Sequence, residues 1–150
     1  MQREYPARPI TGIGAIIICN GKILLIKRGS EPGKGKWSIP GGLIELGETI
    51  HETVAREVKE ETNLDAEAYK LVDVVDNVLR DEDGKIKYHY IIIDFLTKLK
   101  NTDLSKLNPA EDAADAKWVP LSEVEKYDLT KTFRAFFQRN QKKLESFSSC

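Results

Sequence analysis

Three glutamates, Glu57, Glu60 and Glu61, stand within five residues of one another in the segment REVKEE. On a helix, side chains three or four residues apart are neighbours, and like charges there repel each other. A segment in which this repulsion is left unrelieved is expected to bind a cation. Mg²⁺ suits this role because it takes oxygen ligands and bridges to substrate phosphates. The spacing therefore predicts a divalent-metal site that handles a phosphorylated substrate.

A helix from about residue 49 to residue 62 is predicted to position these carboxylates. Thr49 and Glu52 have the spacing of a capping box, which starts a helix. Asn63 follows the segment, and Asn is second only to Gly at a left-handed helix stop. Both ends of the helix are thus specified by local signals.

The glutamates border the apolar side of this helix. Ile50, Val54 and Val58 recur every fourth residue and form a stripe, and Glu57 and Glu61 lie within about 20° of one edge of it. A charged run is usually a solvated face, in which lysines alternate with glutamates at a spacing of four. Here the partner of Glu57 at that spacing is Glu61, so the metal-site interpretation is favoured over the solvated face.

The residues just before the helix suit the same site. Gly41 and Gly42 follow Pro40, and the two glycines permit a sharp turn that offers a backbone carbonyl to a metal. Glu48 and Arg56 are eight residues apart and carry opposite charges. We expect them to pair and to hold the loop against the helix.

The remaining pattern predicts one α/β domain over residues 1–150, with mixed strands and helices on the outside. Asn20-Gly21 is a strong hairpin signal, and it divides an isoleucine-rich segment into the strands Ile13–Cys19 and Lys22–Ile26. Later elements are a Gly-rich loop, two long strands around RDEDGK, a polar loop over 100–116, a short strand KWVPL, a brief helix from residue 121 and an amphipathic terminal helix over about 129–147.

Composition narrows the class of protein. With 23 basic and 24 acidic residues in 150, the chain lacks the basic excess of a nucleic-acid polymer binder. The run Ile13–Cys19 is too short to span a membrane. Two cysteines, Cys19 and Cys150, are too few for a disulfide framework, so a reducing, cytoplasmic setting is expected.

The segment 42–64 resembles the Nudix box, G-x5-E-x7-R-E-U-x-E-E-x-G-U, in which U is a bulky aliphatic residue. The matching residues are Gly42, Glu48, Arg56, Glu57, Val58, Glu60, Glu61 and Leu64. Asn63 replaces the last glycine of the pattern, and because Asn also tolerates positive φ this departure concerns only the helix stop. The resemblance extends over roughly residues 12–124 and leaves the terminal helix unexplained.

Resemblance to this family implies the Nudix fold, an α/β/α sandwich with a mixed β-sheet. It also implies hydrolysis of a nucleoside diphosphate linked to another group, with Mg²⁺, or Mn²⁺ in its place. Carried over to this sequence, Glu57, Glu60 and Glu61 are the metal ligands and Gly41 contributes its carbonyl. Gly42, Glu48 and Arg56 brace the site.

Family members often add an acidic residue from a later loop. Here the segment NPAEDAADAKWVP offers Glu111, Asp112 and Asp115, of which Asp112 is our choice. The alternative is that all three are ordinary loop acids. The proton of the attacking water would go to a carboxylate, with Glu60, Glu61 and Asp112 as the candidates.

Basic and aromatic residues offer ligand contacts. Arg28 precedes the Gly-rich loop and is the preferred phosphate ligand; Lys34 and Lys36 on the loop are more typical of solvated side chains. Tyr88 and Tyr90 alternate with His89, so both tyrosines should share one face of a strand. A nucleobase can stack on such an aromatic, although core packing explains the tyrosines equally well.

The substrate is the least determined feature. Flanking sequence resembles the small ADP-ribose pyrophosphatase branch, which favours ADP-ribose or a similar nucleoside diphosphate sugar. A proline common in that branch is missing, because no proline occurs between Pro40 and Pro109. A MutT-like nucleoside triphosphate pyrophosphohydrolase acting on dGTP or oxidised dGTP is therefore the alternative, and an inactive nucleotide-binding regulator is a third reading. The terminal helix either closes the core or pairs with a second copy in a homodimer.

Overall fold

The computed structural model describes residues 2–101 and 103–150. Within them the chain forms strands, two α-helices and two short 3-10 helices. In chain order they are β1 (Ile10–Ile16), β2 (Ile18–Cys19), β3 (Lys22–Arg28), β4 (Trp37–Ser38), β5 (Gly41–Leu43), α1 (Ile50–Thr62), β6 (Ala66–Arg80), β7 (Ile86–Leu99), a 3-10 helix (Leu104–Lys106), β8 (Ala113–Pro120), a 3-10 helix (Leu121–Lys126) and α2 (Lys131–Glu145).

The strands form two sheets. The first has the order β5-β1-β7-β6, and β1 and β7 run parallel while the other pairs are antiparallel. In the second sheet, β3 pairs with β2, β4 and β8, all antiparallel. The predicted mixed α/β arrangement is confirmed, with the strands divided between two sheets.

One predicted strand, Ile13–Cys19, is divided in the structure. Its first part belongs to β1 in the first sheet, and after Ile17 the chain enters β2 in the second sheet. The predicted turn is confirmed, since Asn20 and Gly21 have φ angles of 53° and 75°. The apolar residues of this segment are buried in both sheets, so the sequence shows no change of pattern where the strand divides.

The two α-helices pack on opposite faces of the first sheet. From α1, Val54 and Val58 join a buried cluster with Ile13, Ala15 and Phe95. The three phenylalanines of α2 belong to a second cluster, which contains alternate residues of the same strands such as Ile16 and Leu96. Because successive strand side chains point to opposite faces, the helices sandwich the sheet. The terminal helix therefore closes the core of its own chain; a homodimer stays a prediction.

Helix α1 begins and ends as its sequence predicts. The hydroxyl of Thr49 accepts a hydrogen bond from the Glu52 amide at 3.1 Å, and the Glu52 carboxylate accepts one from the Thr49 amide at 3.3 Å. At the other end, Asn63 adopts a φ of 65°. These contacts satisfy backbone groups that a helix leaves unpaired at its ends. The boundary of the helix is thus set locally, independent of the sheets.

Strand β8 is longer than predicted. It starts at Ala113, inside the segment expected to be polar loop, and pairs with β3 along its length. Its residues up to Ala116 are polar or small, so their strand conformation depends on the partner strand rather than on local propensity.

The C-terminus is fixed to the second sheet. Cys19 and Cys150 form a disulfide with Cα atoms 5.3 Å apart, a pairing that the sequence analysis did not predict. Next to it, the Ser149 amide donates to the Ile18 carbonyl at 2.6 Å, and the Ile18 amide donates to the Ser149 hydroxyl at 3.0 Å. The two cysteines are 131 residues apart in sequence, so their contact could not be predicted from local pattern.

Of the helices in residues 2–101 and 103–150, none has both the length and the apolar character that a membrane crossing requires.

Candidate metal and phosphate site

The site is built on the side of α1 that meets β5. Glu61 is only 4% exposed, whereas the Glu60 side chain is 44% exposed and that of Glu57 is 14% exposed. The stripe on the helix thus buries two of the three predicted ligands and leaves the third at the rim. The order of exposure agrees with the positions of these glutamates around the helix axis that the sequence predicts.

Glu61 is the most deeply buried carboxylate of the site. The Gly41 amide donates to its Oε1 at 2.8 Å. Burial, together with the nearby charges of Glu57 and Asp112, raises the pKa of Glu61 to about 8, although the Gly41 amide and the Arg28 charge oppose the shift. A carboxyl group in these surroundings needs a compensating positive charge to ionise at neutral pH.

Glu57 lies directly against the backbone of Gly42. A Cβ atom on Gly42 would collide with the Glu57 carboxyl group, so only glycine leaves room for it there. Burial raises the pKa of Glu57, whereas Arg56, which donates to its Oε1 at 2.7 Å, opposes the shift. Gly42 thus forms one wall of the carboxylate site, and a side chain at this position would displace Glu57.

The predicted pair of Glu48 and Arg56 forms. Arg56 Nε donates to Glu48 Oε2 at 2.6 Å, and Arg56 Nη1 also donates to Glu60 Oε2 at 3.3 Å. Hydrogen bonding to Arg56 lowers the pKa of Glu48 to about 2. Arg56 therefore links the loop before α1 to the glutamates of the site.

Asp112 lies beside the carboxylates. The loop before β8 is fastened to the end of α1, because the Ala110 amide donates to the Glu61 carbonyl at 3.2 Å and the Asn108 amide donates to the Thr62 carbonyl at 2.9 Å. Asp112 lines the same cavity as Glu61. Its place beside the helix depends on this fastening, which no local sequence signal specifies.

The two other candidate loop acids are placed differently. Glu111 is exposed and has a φ of 52°. Asp115 lies within β8, where its carboxylate accepts from the Ala116 amide at 2.8 Å. Neither of them lines the cavity that contains Asp112. The choice of Asp112 among the three is supported by this placement.

Arg28 lines the cavity next to the carboxylates. Its Nε donates to the Pro32 carbonyl at 2.6 Å, which holds the guanidinium in place. Lys36 also lines the cavity, and its ammonium lies 3.5 Å from the exposed carboxylate of Asp128. Lys34 is exposed and does not line it. The preference for Arg28 as the phosphate ligand fits this arrangement, and Lys36 is a second candidate.

One cavity of about 340 Å³ connects these groups with the space between the first sheet and α2. Its polar end contains Glu57, Glu61, Asp112 and Arg28. The rest of its lining is mixed: polar residues such as Ser38, Asn77 and Lys131 lie among apolar ones. The apolar residues include Ile26, Ile39, Val75, Ile92, Phe133 and Phe136. A ligand with a charged part and a flat apolar part fits this division.

Two further residues, Tyr90 and Asp94, line this cavity without having been predicted as site residues. Tyr90 lines it and stacks against Tyr88, with ring centroids 6.1 Å apart. Asp94 lines it as well and is only 3% exposed. A single aspartate inside the apolar run YIIIDFL was the available signal, because charged residues are seldom fully buried without a reason.

The oxygen ligands offered by these glutamates suit a divalent cation, although their side chains are not arranged around a metal position in this structure. Among residues 2–101 and 103–150, no three Asp, Glu, His or Cys side chains are arranged to hold a metal ion. In these positions Arg56 binds one oxygen each of Glu57 and Glu60. The clustered carboxylates and the nearby glycine carbonyls are hard oxygen donors, which Mg²⁺ and Mn²⁺ prefer as ligands.

Comparison with known proteins adds independent support. A family model described as NUDIX domain matches residues 8–139. An ADP-ribose pyrophosphatase of Methanocaldococcus jannaschii is 36% identical over 118 residues, which cover 79% of this chain and 66% of that protein. The chain thus spans just under two thirds of that relative.

Two further proteins are similar over nearly their whole length. The nucleoside triphosphatase NudI of Enterobacter sp. (strain 638) is 30% identical over 142 residues, covering 87% of this chain and 95% of that protein. The crystal structure of a MutT protein from Methanosarcina mazei Go1 superimposes with a TM-score of 0.72 at 28% identity, covering 92% of this chain and 97% of that one. The comparisons agree on the fold and differ in the substrates that the names indicate.

Proposed function

The chain belongs to the NUDIX domain family, and we therefore propose that it hydrolyses the diphosphate bond of a nucleoside diphosphate linked to another group. ADP-ribose or a similar nucleoside diphosphate sugar is the substrate we favour. The similarity to an archaeal ADP-ribose pyrophosphatase supports this choice.

The observation that carries the proposal is the cavity with two unlike ends. Glu57, Glu61 and Asp112 gather at one end beside the Arg28 guanidinium, while the other end is enclosed by apolar side chains of the sheet and α2. Carboxylates suit a metal ion and the guanidinium suits a phosphate. Apolar walls suit a nucleobase.

A divalent ion, Mg²⁺ or Mn²⁺, would be held by Glu57, Glu60 and Glu61 with the carbonyl of Gly41. When bound, such an ion supplies positive charge for the diphosphate oxygens and lowers the pKa of a water molecule. For this, Glu57 and Glu60 must turn away from Arg56, which retains its bonds to Glu48.

The protein's own groups have distinct roles in the reaction. Arg28 would bind a phosphate and orient it. Asp112 would accept the proton of the attacking water; among the described residues its carboxylate accepts no hydrogen bond, so it is free to do so. The water oxygen forms a bond to phosphorus, the bridging P–O bond breaks, and the bridging oxygen leaves with one phosphoryl group.

The favoured and alternative substrates give different products. ADP-ribose would give AMP and ribose 5-phosphate, whereas a nucleoside triphosphate such as dGTP or oxidised dGTP would give a nucleoside monophosphate and pyrophosphate. The alternative is supported by the match to a nucleoside triphosphatase along 95% of its length.

Product analysis tests the proposal. Purified protein is incubated with ADP-ribose, dGTP, oxidised dGTP and dinucleoside polyphosphates in Mg²⁺ or Mn²⁺, and kcat/KM is measured for each. The highest value is expected for ADP-ribose, with AMP as product. Highest turnover of dGTP with release of pyrophosphate would favour the alternative.

A nucleotide-binding regulator without catalysis is the third reading. The presence of every box carboxylate and of a cavity that reaches them argues against it. Binding of ADP-ribose without turnover of any substrate, in both metals, would establish that reading and overturn ours.

A further inference from the structure

Asp94 is a buried acid that the reaction above does not use. It lies on β7, on the face of the first sheet that α2 covers, and is only 3% exposed. The cavity that contains the predicted metal ligands also reaches Asp94. Burying a carboxyl group in a ligand cavity costs free energy unless a partner binds it.

No group of the described chain, residues 2–101 and 103–150, donates a hydrogen bond to the Asp94 side chain. The aspartate of the neighbouring strand does accept hydrogen bonds from side chains. Asp73, which pairs with Asp94 in the register of β6 and β7, accepts from Arg139 Nη2 at 2.7 Å and from Asn140 Nδ2 at 3.0 Å. Arg139 and Asn140 are thus bound to Asp73, and Asp94 keeps its acceptor oxygens for a ligand.

The backbone beside Asp94 is shaped to make room for it. Gly14 lies opposite on β1, in register with Asp94, and a Cβ atom there would collide with the carboxylate oxygen Oδ1 and approach the Ile39 side chain. The φ of Gly14 is not in the left-handed region. Glycine is required at position 14 because a side chain would not fit beside Asp94, and not because of its backbone conformation.

Besides Asp73 and the residues bound to it, Asp94 has apolar neighbours. Ile92 precedes it by two residues on the same face of β7, and Ile39, Val75 and Phe136 line the same cavity. A sugar placed here would leave several hydroxyl groups without partners, which is unfavourable. A nucleobase has apolar faces and carries its hydrogen-bond donors only at its edge, so it matches one acid in an apolar pocket.

We infer that Asp94 selects the nucleobase of the ligand by accepting a hydrogen bond from its amino-bearing edge. The inference rests on the proposed function, because it takes the phosphates of the ligand to lie at the carboxylate end of the cavity. Adenine, guanine and cytosine each present an amino group at the edge used in base pairing. Uracil has a single N–H there between two carbonyl oxygens, which would face the Asp94 oxygens and repel them.

Equilibrium binding tests this selection without depending on turnover. Dissociation constants of ADP, GDP, CDP and UDP are measured by calorimetry for the wild type, Asp94→Val, Asp94→Asn and the control Asp76→Val on the exposed side of β6. At least one amino-bearing nucleotide is expected to bind roughly 10- to 100-fold more tightly than UDP to the wild type and the control. Asp94→Val should remove this preference, and Asp94→Asn, which keeps one acceptor oxygen, should retain part of it. Thermal unfolding of each variant establishes that it is folded.

Two results would overturn the inference: equal binding of all four nucleotides to the wild type, or a preference that survives in Asp94→Val. Comparison of ADP-ribose with ADP-glucose adds a third, because a sugar preference lost in Asp94→Val would assign Asp94 to the sugar. The proposed hydrolysis is judged separately by product release. A base preference without hydrolysis rejects the enzymatic proposal alone, and hydrolysis without a base preference rejects the role of Asp94 alone.

Discussion

Arg56 binds Glu48 through one edge of its guanidinium: Nε donates to Oε2 at 2.6 Å and Nη2 donates to Oε1 at 2.8 Å. The same Nη2 donates to the Leu43 carbonyl at 3.0 Å. Glu48 also accepts from the Thr53 hydroxyl at 2.9 Å. One arginine thus joins β5, the following loop and α1, which are the elements that carry the predicted ligands.

Arg56→Lys should weaken both stability and activity. Lysine carries one ammonium group and cannot reproduce two parallel hydrogen bonds to a carboxylate. We expect a loss of about 1 to 3 kcal/mol in the free energy of unfolding and a lower kcat/KM, measured by urea denaturation and by the hydrolysis assay. Arg80→Lys, on the exposed hairpin of β6 and β7, is the control and should change neither. An Arg56→Lys enzyme with unchanged activity would show that the brace does not position the site.

Glu61→Gln should impair metal binding more than it impairs folding. It removes the charge of the most buried predicted ligand, so the apparent affinity for Mg²⁺ should fall at least about tenfold and kcat with it. Metal titration of the activity provides the measurement. Glu52→Gln is the matched control on the same helix, since Gln preserves the capping box. Equal Mg²⁺ dependence of the two variants would contradict the assignment of Glu61.

Gly42→Ala should displace Glu57, because the new Cβ atom would occupy the position of the Glu57 carboxyl group. Loss of activity is expected to exceed what the loss of stability explains. Gly21→Ala serves as the control: its φ is 75° and no atom lies within 4 Å of the place that a Cβ atom would take, so it introduces backbone strain alone. Stability of that control should fall by roughly 1 kcal/mol while kcat/KM is kept. Full activity in Gly42→Ala would show that Glu57 need not lie there.

Asp94→Asn should change how stability depends on pH. Burial raises the folded-state pKa of Asp94 to about 7, compared with about 3.9 in an unfolded chain. Between these values the folded state binds more protons than the unfolded state, so the contribution of Asp94 to stability falls as pH rises from 4 to 7. The free energy of unfolding of Asp94→Asn relative to the wild type should therefore increase across this window, by on the order of 3 kcal/mol.

Urea denaturation of both proteins at intervals from pH 4 to pH 8 measures this difference. Any cost of burying the new amide is independent of pH, so it shifts the difference without changing its slope. A difference that stays flat with pH would show that Asp94 ionises normally in the folded protein.

Cys150→Ser should destabilise the protein under oxidising conditions. The disulfide joins residues separated by 131 positions, and closing so long a loop restricts the unfolded chain strongly. A loss of about 2 to 5 kcal/mol is expected. The wild type in dithiothreitol should approach the stability of the variant, and the variant should not respond to dithiothreitol. Identical unfolding curves for oxidised and reduced wild type would exclude this contribution.

Helix α1 and the placement of its glutamates could be predicted from the sequence without knowledge of the rest of the fold. The capping box of Thr49 and Glu52, the stop at Asn63 and the position of Glu57 and Glu61 beside the apolar stripe all depend on residues within one or two helical turns. Over such distances the helical period sets which side chains are neighbours. The pairing of Glu48 with Arg56 could be predicted for the same reason, because both residues belong to the helix and the loop that leads into it.

Contacts between distant segments became visible only in the folded chain. The position of Asp112 depends on a loop that binds the end of α1, and the room for Asp94 depends on Gly14, which is far earlier in the chain but in register on the adjacent strand. The disulfide of Cys19 and Cys150 likewise depends on where the last residues settle. Local propensity cannot specify such contacts, because strand order and register arise from the packing of the whole core rather than from neighbours in sequence.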